Sequence, residues 1–207
     1  LDENSENSEF IYGTQNFHVI WEKLVDRIFG ETDKEDFYPK VFWKLKNKKG
    51  SEERFEFRTD EKRNSLRPDT IMITNRAKTG QKIFVLDSKY YRYGATGIKN
   101  HLPDSASIVK QFAYSDYIEK NDSIPEKIKR NRTENSVFNA FIMPACVQKI
   151  ENIGYAGADY IHCSDNSEKS WHKIHGILLD TKTVMEHAAK KDNGLIEQLA
   201  AAIEENR

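Results

Sequence analysis

Only two of the 207 residues are cysteine, Cys146 and Cys163, and their spacing fits neither a zinc site nor a disulfide framework. A reduced, cytoplasmic setting is therefore expected. No apolar run approaches the ~18 residues that a membrane helix needs, so no membrane partner is expected. The first nine residues, LDENSENSE, lack the basic start and apolar centre of a signal peptide and read as a disordered tail or linker. Leu1 stands where Met would, which fits a fragment of a longer protein or a processed chain. There is no GxxxxGK[ST] phosphate loop, no internal repeat, no helix-turn-helix and no zinc finger. His18, His162, His172, His175 and His187 have no ligand spacing with one another and are expected to be structural, as is His101.

Net charge is −1, yet the charge is unevenly spread. Residues 38–132 carry 22 Lys/Arg against 12 Asp/Glu, a local balance of +10, so the two ends together carry −11. A basic middle can track phosphates, since Lys and Arg contacts release counterions and supply sequence-independent affinity. Lysine-rich surface is also ordinary soluble surface, and charge alone does not separate the two.

The apolar pattern describes one α/β domain over residues 10–207. In TQNFHVIWEKLVDRIFGE, the spacing of Phe17, Trp21, Leu24 and Ile28 predicts an amphipathic helix, with Thr14 or Asn16 to cap it and Gly30 to end it. Residues 37–46 and 53–58 alternate and, with Gly50 between them, predict a hairpin-like excursion. DTIMIT (69–74) and KIFVLDSKYY (82–91) are the strongest strand candidates, and their continuous apolar character predicts burial on both faces. A helix over 107–120, a polar basic loop over 123–136, a strand over 137–145 stopped by Pro144, a strand over 171–180 and two closing helices complete the order.

Two adjacent strands thus carry acids at their ends. Residues 66–90 read LRPDTIMITNRAKTGQKIFVLDSKY. If the strands pair antiparallel, Asp69 at the start of one and Asp87 at the end of the next reach the same edge of the sheet. Alternation in Asp87-Ser88-Lys89 puts Asp87 and Lys89 on one face, about 7 Å apart. Carboxylates of this kind suit Mg²⁺, which takes one or two protein acids and completes its shell with water and phosphate. Such a centre hydrolyses phosphodiesters: the metal lowers the pKa of a bound water and neutralises the scissile phosphate. Lys89 would orient or activate that water, or stabilise developing charge; the residues leave these roles open. Taken singly, Asp69 after Pro68 is ordinary turn chemistry. Asp87 on a buried strand needs a partner, and Lys89 in a purely structural ion pair would be one.

Pro68-Asp69 followed by Asp87-Ser88-Lys89 resembles the PD-(D/E)xK nuclease signature. A preceding helix carries Glu22, where that superfamily often places a metal-associated acid, and a following helix carries Gln111 and Tyr114, like the Q…Y helix of several branches. Here they stand three residues apart, where the better-known pattern has four. More narrowly, YGTQNFHVIWEKLVDRIFG, LRPDTIMI, VLDSKYYRYG and KQFAYSDY are together similar to the LlaJI family of restriction endonucleases, and to the catalytic domain of the McrC subunit of modification-dependent restriction systems. The resemblance runs from about residue 10 to 180.

That resemblance implies a restriction-endonuclease-like three-layer α/β/α fold with a central mixed sheet flanked by helices. It implies cleavage of double-stranded DNA in the manner of a type II enzyme, with Mg²⁺ as cofactor and Mn²⁺ able to substitute. Asp69, Asp87 and Glu22 would hold the metal, and Lys89 and Gln111 would complete the catalytic set. Arg67, Tyr90, Arg92, Tyr114, Lys127, Lys129, Arg130 and Arg132 are candidate DNA contacts. Cutting both strands needs two active sites, so a homodimer or a companion subunit, such as an NTP-driven motor in another chain, is expected. The alternatives are a DNA-binding or assembly module with a vestigial site, and a repair or junction nuclease on the same fold.

Overall fold

The computed structural model describes residues 16–39, 41–46, 51–56, 66–75, 80–120, 132–158 and 173–205. The chain opens with helix α1 (Phe17–Phe29), whose Trp21, Val25, Ile28 and Phe29 are buried. Asn16 occupies the N-cap position without a side-chain cap bond, and Gly30 follows in extended conformation. Burying an indole strands its N–H unless a partner is found; Trp21 Nε1 donates to Ile142 O at 3.1 Å, tying the helix to the sheet. A 3₁₀ turn (Lys34–Phe37) then buries Phe37.

Strands β1 (Phe42–Lys46) and β2 (Glu52–Glu56) form a separate antiparallel hairpin, as the alternating pattern predicts. The main sheet contains β3 (Thr70–Thr74), β4 (Gln81–Asp87), β5 (Arg132–Ala145), β6 (Glu151–Ala156) and β7 (Ile174–Asp180), in the order β3-β4-β5-β7-β6. β3 and β6 run antiparallel to their neighbours, whereas β4, β5 and β7 are mutually parallel. The remaining helices are the single turn α2 (Tyr93–Thr96), a 3₁₀ turn (Lys99–His101), α3 (Ser105–Lys120), α4 (Thr181–His187) and α5 (Asn193–Glu204).

The apolar runs of β3 and β4 follow from a sheet covered on both sides. Met72, Phe84, Leu86, Ala140, Ile142 and Ile177 pack under α1, α4 and α5. Alternate residues Ile71, Ile73, Ile83, Val85 and Val137 pack under α3 through Tyr114 and Ile118. This is the three-layer α/β/α arrangement with a mixed central sheet, a restriction-endonuclease-like fold.

Two local expectations are corrected, and one strand is new. Pro144 does not stop its strand: it pairs with Leu179, and β5 ends at Ala145. Beside β4, β5 is paired only as far as Phe141, so Pro144 lies where that neighbour has ended and a missing N–H is tolerated. β5 also starts at Arg132, inside the stretch predicted to be a loop. β6 is an unpredicted edge strand whose residues are mostly exposed, which leaves little apolar pattern to read.

Candidate active site

The antiparallel register Thr70↔Leu86 brings Asp69 alongside Asp87 at one edge of the sheet. This is also the carboxyl end of the parallel strands, where open α/β sheets present their clefts. β4 stops at Asp87, and the chain turns so that Lys89 reaches back over both acids. Lys89 Nζ lies 3.2 Å from Asp87 Oδ1 and 3.5 Å from Asp69 Oδ2. The Ser88 N–H donates to the same Asp69 oxygen at 3.0 Å, and the Asp69 carboxyl lies close enough for its charge to act on Asp87. Side-chain exposure grades from 8% at Asp87 through 19% at Asp69 to 30% at Lys89, so the cluster opens outward from a buried acid.

The electrostatics are those of one cation serving too many acids. Burial first, and the Asp69 charge second, push the Asp87 carboxyl up to about 7 despite Lys89. Burial opposes the charge on Lys89, yet Asp87, Asp69 and Glu22 outweigh it and raise its pKa. Glu22, half-buried on α1, is raised by burial and then by Asp69, while Lys89 and His18 act against the shift. Two carboxylates sharing one lysine form a hard-oxygen cluster with surplus negative charge that a divalent cation would relieve. Among the described residues no three His, Cys, Asp or Glu side chains converge as a metal cage. Glu22 stands on α1 beside the Asp69–Asp87 pair, close enough for the Asp69 and Lys89 charges to act on it.

Gln111, expected in the catalytic set, is fully buried, with neither amide atom hydrogen-bonded. Its neighbour Phe112 packs against Phe141, whose strand partner is Asp87, so Gln111 lies at the level of the acid pair. Tyr114, a candidate DNA contact, is 2% exposed and donates its hydroxyl to Arg67 O at 3.3 Å. It is a core residue anchoring the approach to Asp69, with a pKa raised by burial and then by the Asp87 and Asp69 charges.

Tyr90 and Arg92 are exposed and line a groove of about 1050 Å³ beside the cluster, together with Ala145, Thr181 and Met185. Tyr90 also meets Phe17 edge-on at 5.1 Å. Arg67 sits next to Asp69 and is half-buried. Arg132 opens β5 opposite Gln81, at the far end of β4 and about 20 Å from Asp87 by strand rise, so the structure does not bring it to the cluster. Lys127, Lys129 and Arg130 lie outside the described residues, as do His162, His172 and Cys163. Sequence reading missed Lys34, which contacts the backbone of Asp69, because nothing in GETDKEDF marks one lysine as special.

No curated protein matches the chain. The family model of the LlaJI restriction endonuclease matches residues 2–178, from the stretch predicted as a tail to within β7, and so takes in every residue of the cluster. The chain belongs to the LlaJI restriction endonuclease family.

Proposed function

We propose that this restriction endonuclease domain cuts double-stranded DNA in a Mg²⁺-dependent reaction at the Asp69–Asp87–Lys89 cluster. The observation that carries the reading is the convergence of two carboxylates and a lysine on one sheet edge, at 3.2 and 3.5 Å from the ammonium. Asp69 and Asp87 would hold the ion, and Glu22 would add negative charge from α1. When bound, Mg²⁺ would supply charge neutralisation at the phosphate and a more acidic water. Asp87 sits deepest, with 8% of its side chain exposed. Asp69 is oriented by the Ser88 N–H. Lys89, the most exposed of the three, would hold the attacking water or the scissile phosphate while staying protonated. Gln111, at the level of Asp87, offers a donor and an acceptor from the α3 side. Tyr90 and Arg92 give the neighbouring groove an aromatic and a cationic contact for DNA. Mn²⁺ should replace Mg²⁺, and cutting both strands would call for a second copy or a companion subunit.

A second reading has its own observation. Lys89 already bridges both carboxylates, as a structural ion pair would in a DNA-binding or assembly module. Supercoiled plasmid incubated at low salt with Mg²⁺, Mn²⁺ or EDTA separates the two. Nicking or linearisation that needs metal and disappears in Asp69→Ala supports the nuclease. Metal-independent DNA binding without cutting, in the presence of any companion subunit, supports the module.

A further inference from the structure

β3 is the terminal strand of the sheet, so its outward carbonyls need partners from elsewhere. Two of them, Asp69 O and Ile71 O, are met from the segment following α1. Glu31 N donates to Ile71 O at 2.8 Å, and Lys34 Nζ donates to Asp69 O at 2.9 Å. The first bond uses backbone and could be made by almost any residue. The second needs a long cationic side chain, and that side chain is itself held: the same ammonium lies 2.6 Å from Asp26 Oδ2.

Asp26 is an unusual residue for its place. It occupies the last turn of α1, where a carboxylate opposes the helix dipole, and its other oxygen, Oδ1, is buried without a partner. It also lies one helical turn beyond Glu22. The Asp26–Lys34–Asp69 chain therefore registers the helix that carries Glu22 against the strand that carries Asp69. Asp69 is held on both sides: its carbonyl by Lys34, its carboxylate by the Ser88 N–H and Lys89.

We infer that Lys34, steered by Asp26, is a positioning residue that fixes the Asp69 carboxylate against Asp87. This rests on the nuclease reading above. A merely structural lysine on the same domain serves as a control: Lys82 on β4 pairs with Glu204 at 2.5 Å, at the opposite end of the sheet.

The test compares Lys34→Met, Lys34→Arg and Lys82→Ala by steady-state DNA cleavage and by Mn²⁺ binding followed by electron paramagnetic resonance. Lys34→Met should lower kcat and weaken Mn²⁺ binding by roughly 10- to 100-fold, the usual effect of losing a support behind a metal ligand, with KM for DNA within about twofold. Lys34→Arg should recover most of both. Lys82→Ala should lower the melting temperature and leave both unchanged. If Lys34→Met does not fold, Asp26→Asn, which keeps the lysine and releases it, should show the same pattern more weakly. Wild-type kcat and Mn²⁺ affinity in Lys34→Met, or in Asp26→Asn where that substitute is used, would overturn the inference alone. A wild type that neither cuts nor binds Mn²⁺ would overturn the nuclease reading with it.

Discussion

β4 ends in charge at both extremities, and the two ends are built differently. Near its start, Lys82 meets Glu204 one to one at 2.5 Å, both about one-third exposed. At its finish, one lysine meets two neighbouring carboxylates, with Glu22 close enough for its charge to act on that lysine, and the deepest acid is almost buried. The first arrangement balances and is worth little, since partly exposed pairs contribute about 0–1 kcal/mol. The second leaves a net negative charge in a low-dielectric corner, which folding alone would select against. An imbalance retained at a sheet edge beside a groove points to a ligand of opposite charge.

The largest effect expected on this comparison is Asp87→Asn. Cleavage should fall on the order of 10³-fold or more, as when an essential polar group of an active site is removed. Thermal melting of the metal-free variant at pH 8 should show no loss of stability, because a repelling charge has been deleted.

Exchanging the two lysines for alanine sharpens the contrast. Lys89→Ala should abolish cutting and cost about 2 kcal/mol in metal-free denaturant unfolding, between the values for exposed and buried pairs, because two acids are left without their cation. Lys82→Ala should cost no more than about 1 kcal/mol and cut normally. Equal losses of activity would erase the distinction between the two ends.

The pH dependence follows from Asp87. Its folded pKa is raised from the usual 3.8 to about 7, so the folded state keeps a proton that the unfolded chain has lost. The unfolded state binds fewer protons in that window, and the metal-free domain should lose stability as pH rises from about 4 to about 7. A divalent ion needs the carboxylate form, so the Mg²⁺-induced rise in melting temperature should grow through the same window. A Mg²⁺ shift independent of pH would break the link.

A smaller effect belongs to His175 on β7, which accepts a bond from Asn152 Nδ2 at 3.2 Å. Burial, and then Lys173, hold its pKa below the ordinary value. The unfolded chain takes up a proton first, so some stability should be lost as pH falls below about 6.5. His175→Gln should flatten that limb of the melting profile.

The acid cluster was legible in the sequence because its parts sit on the two most apolar strands, where charge is conspicuous and antiparallel pairing forces Asp69 and Asp87 to one edge. The sandwich of helices was legible for the same reason, since strands apolar on every residue need cover on both faces. What sequence did not reveal depends on partners distant in the chain. Gln111 sits among polar residues of α3, and only its full burial in the folded chain shows it to be interior. Lys34 looks like any loop lysine until β3 turns out to be an edge strand with carbonyls to satisfy. β6 carries too few buried side chains to leave a period. Arg132 was grouped with a basic loop because its place in β5 is set by pairing with Gln81, which no local pattern records.

The measurement that bears most directly on the unbalanced end of β4 is Mn²⁺ binding to the wild type and to Asp87→Asn at pH 8, followed by electron paramagnetic resonance without DNA. Saturable binding to the wild type, lost in Asp87→Asn, is the predicted result. No binding to the wild type, or binding that Asp87→Asn leaves intact, would make the cluster an ion pair and contradict the metal-dependent nuclease.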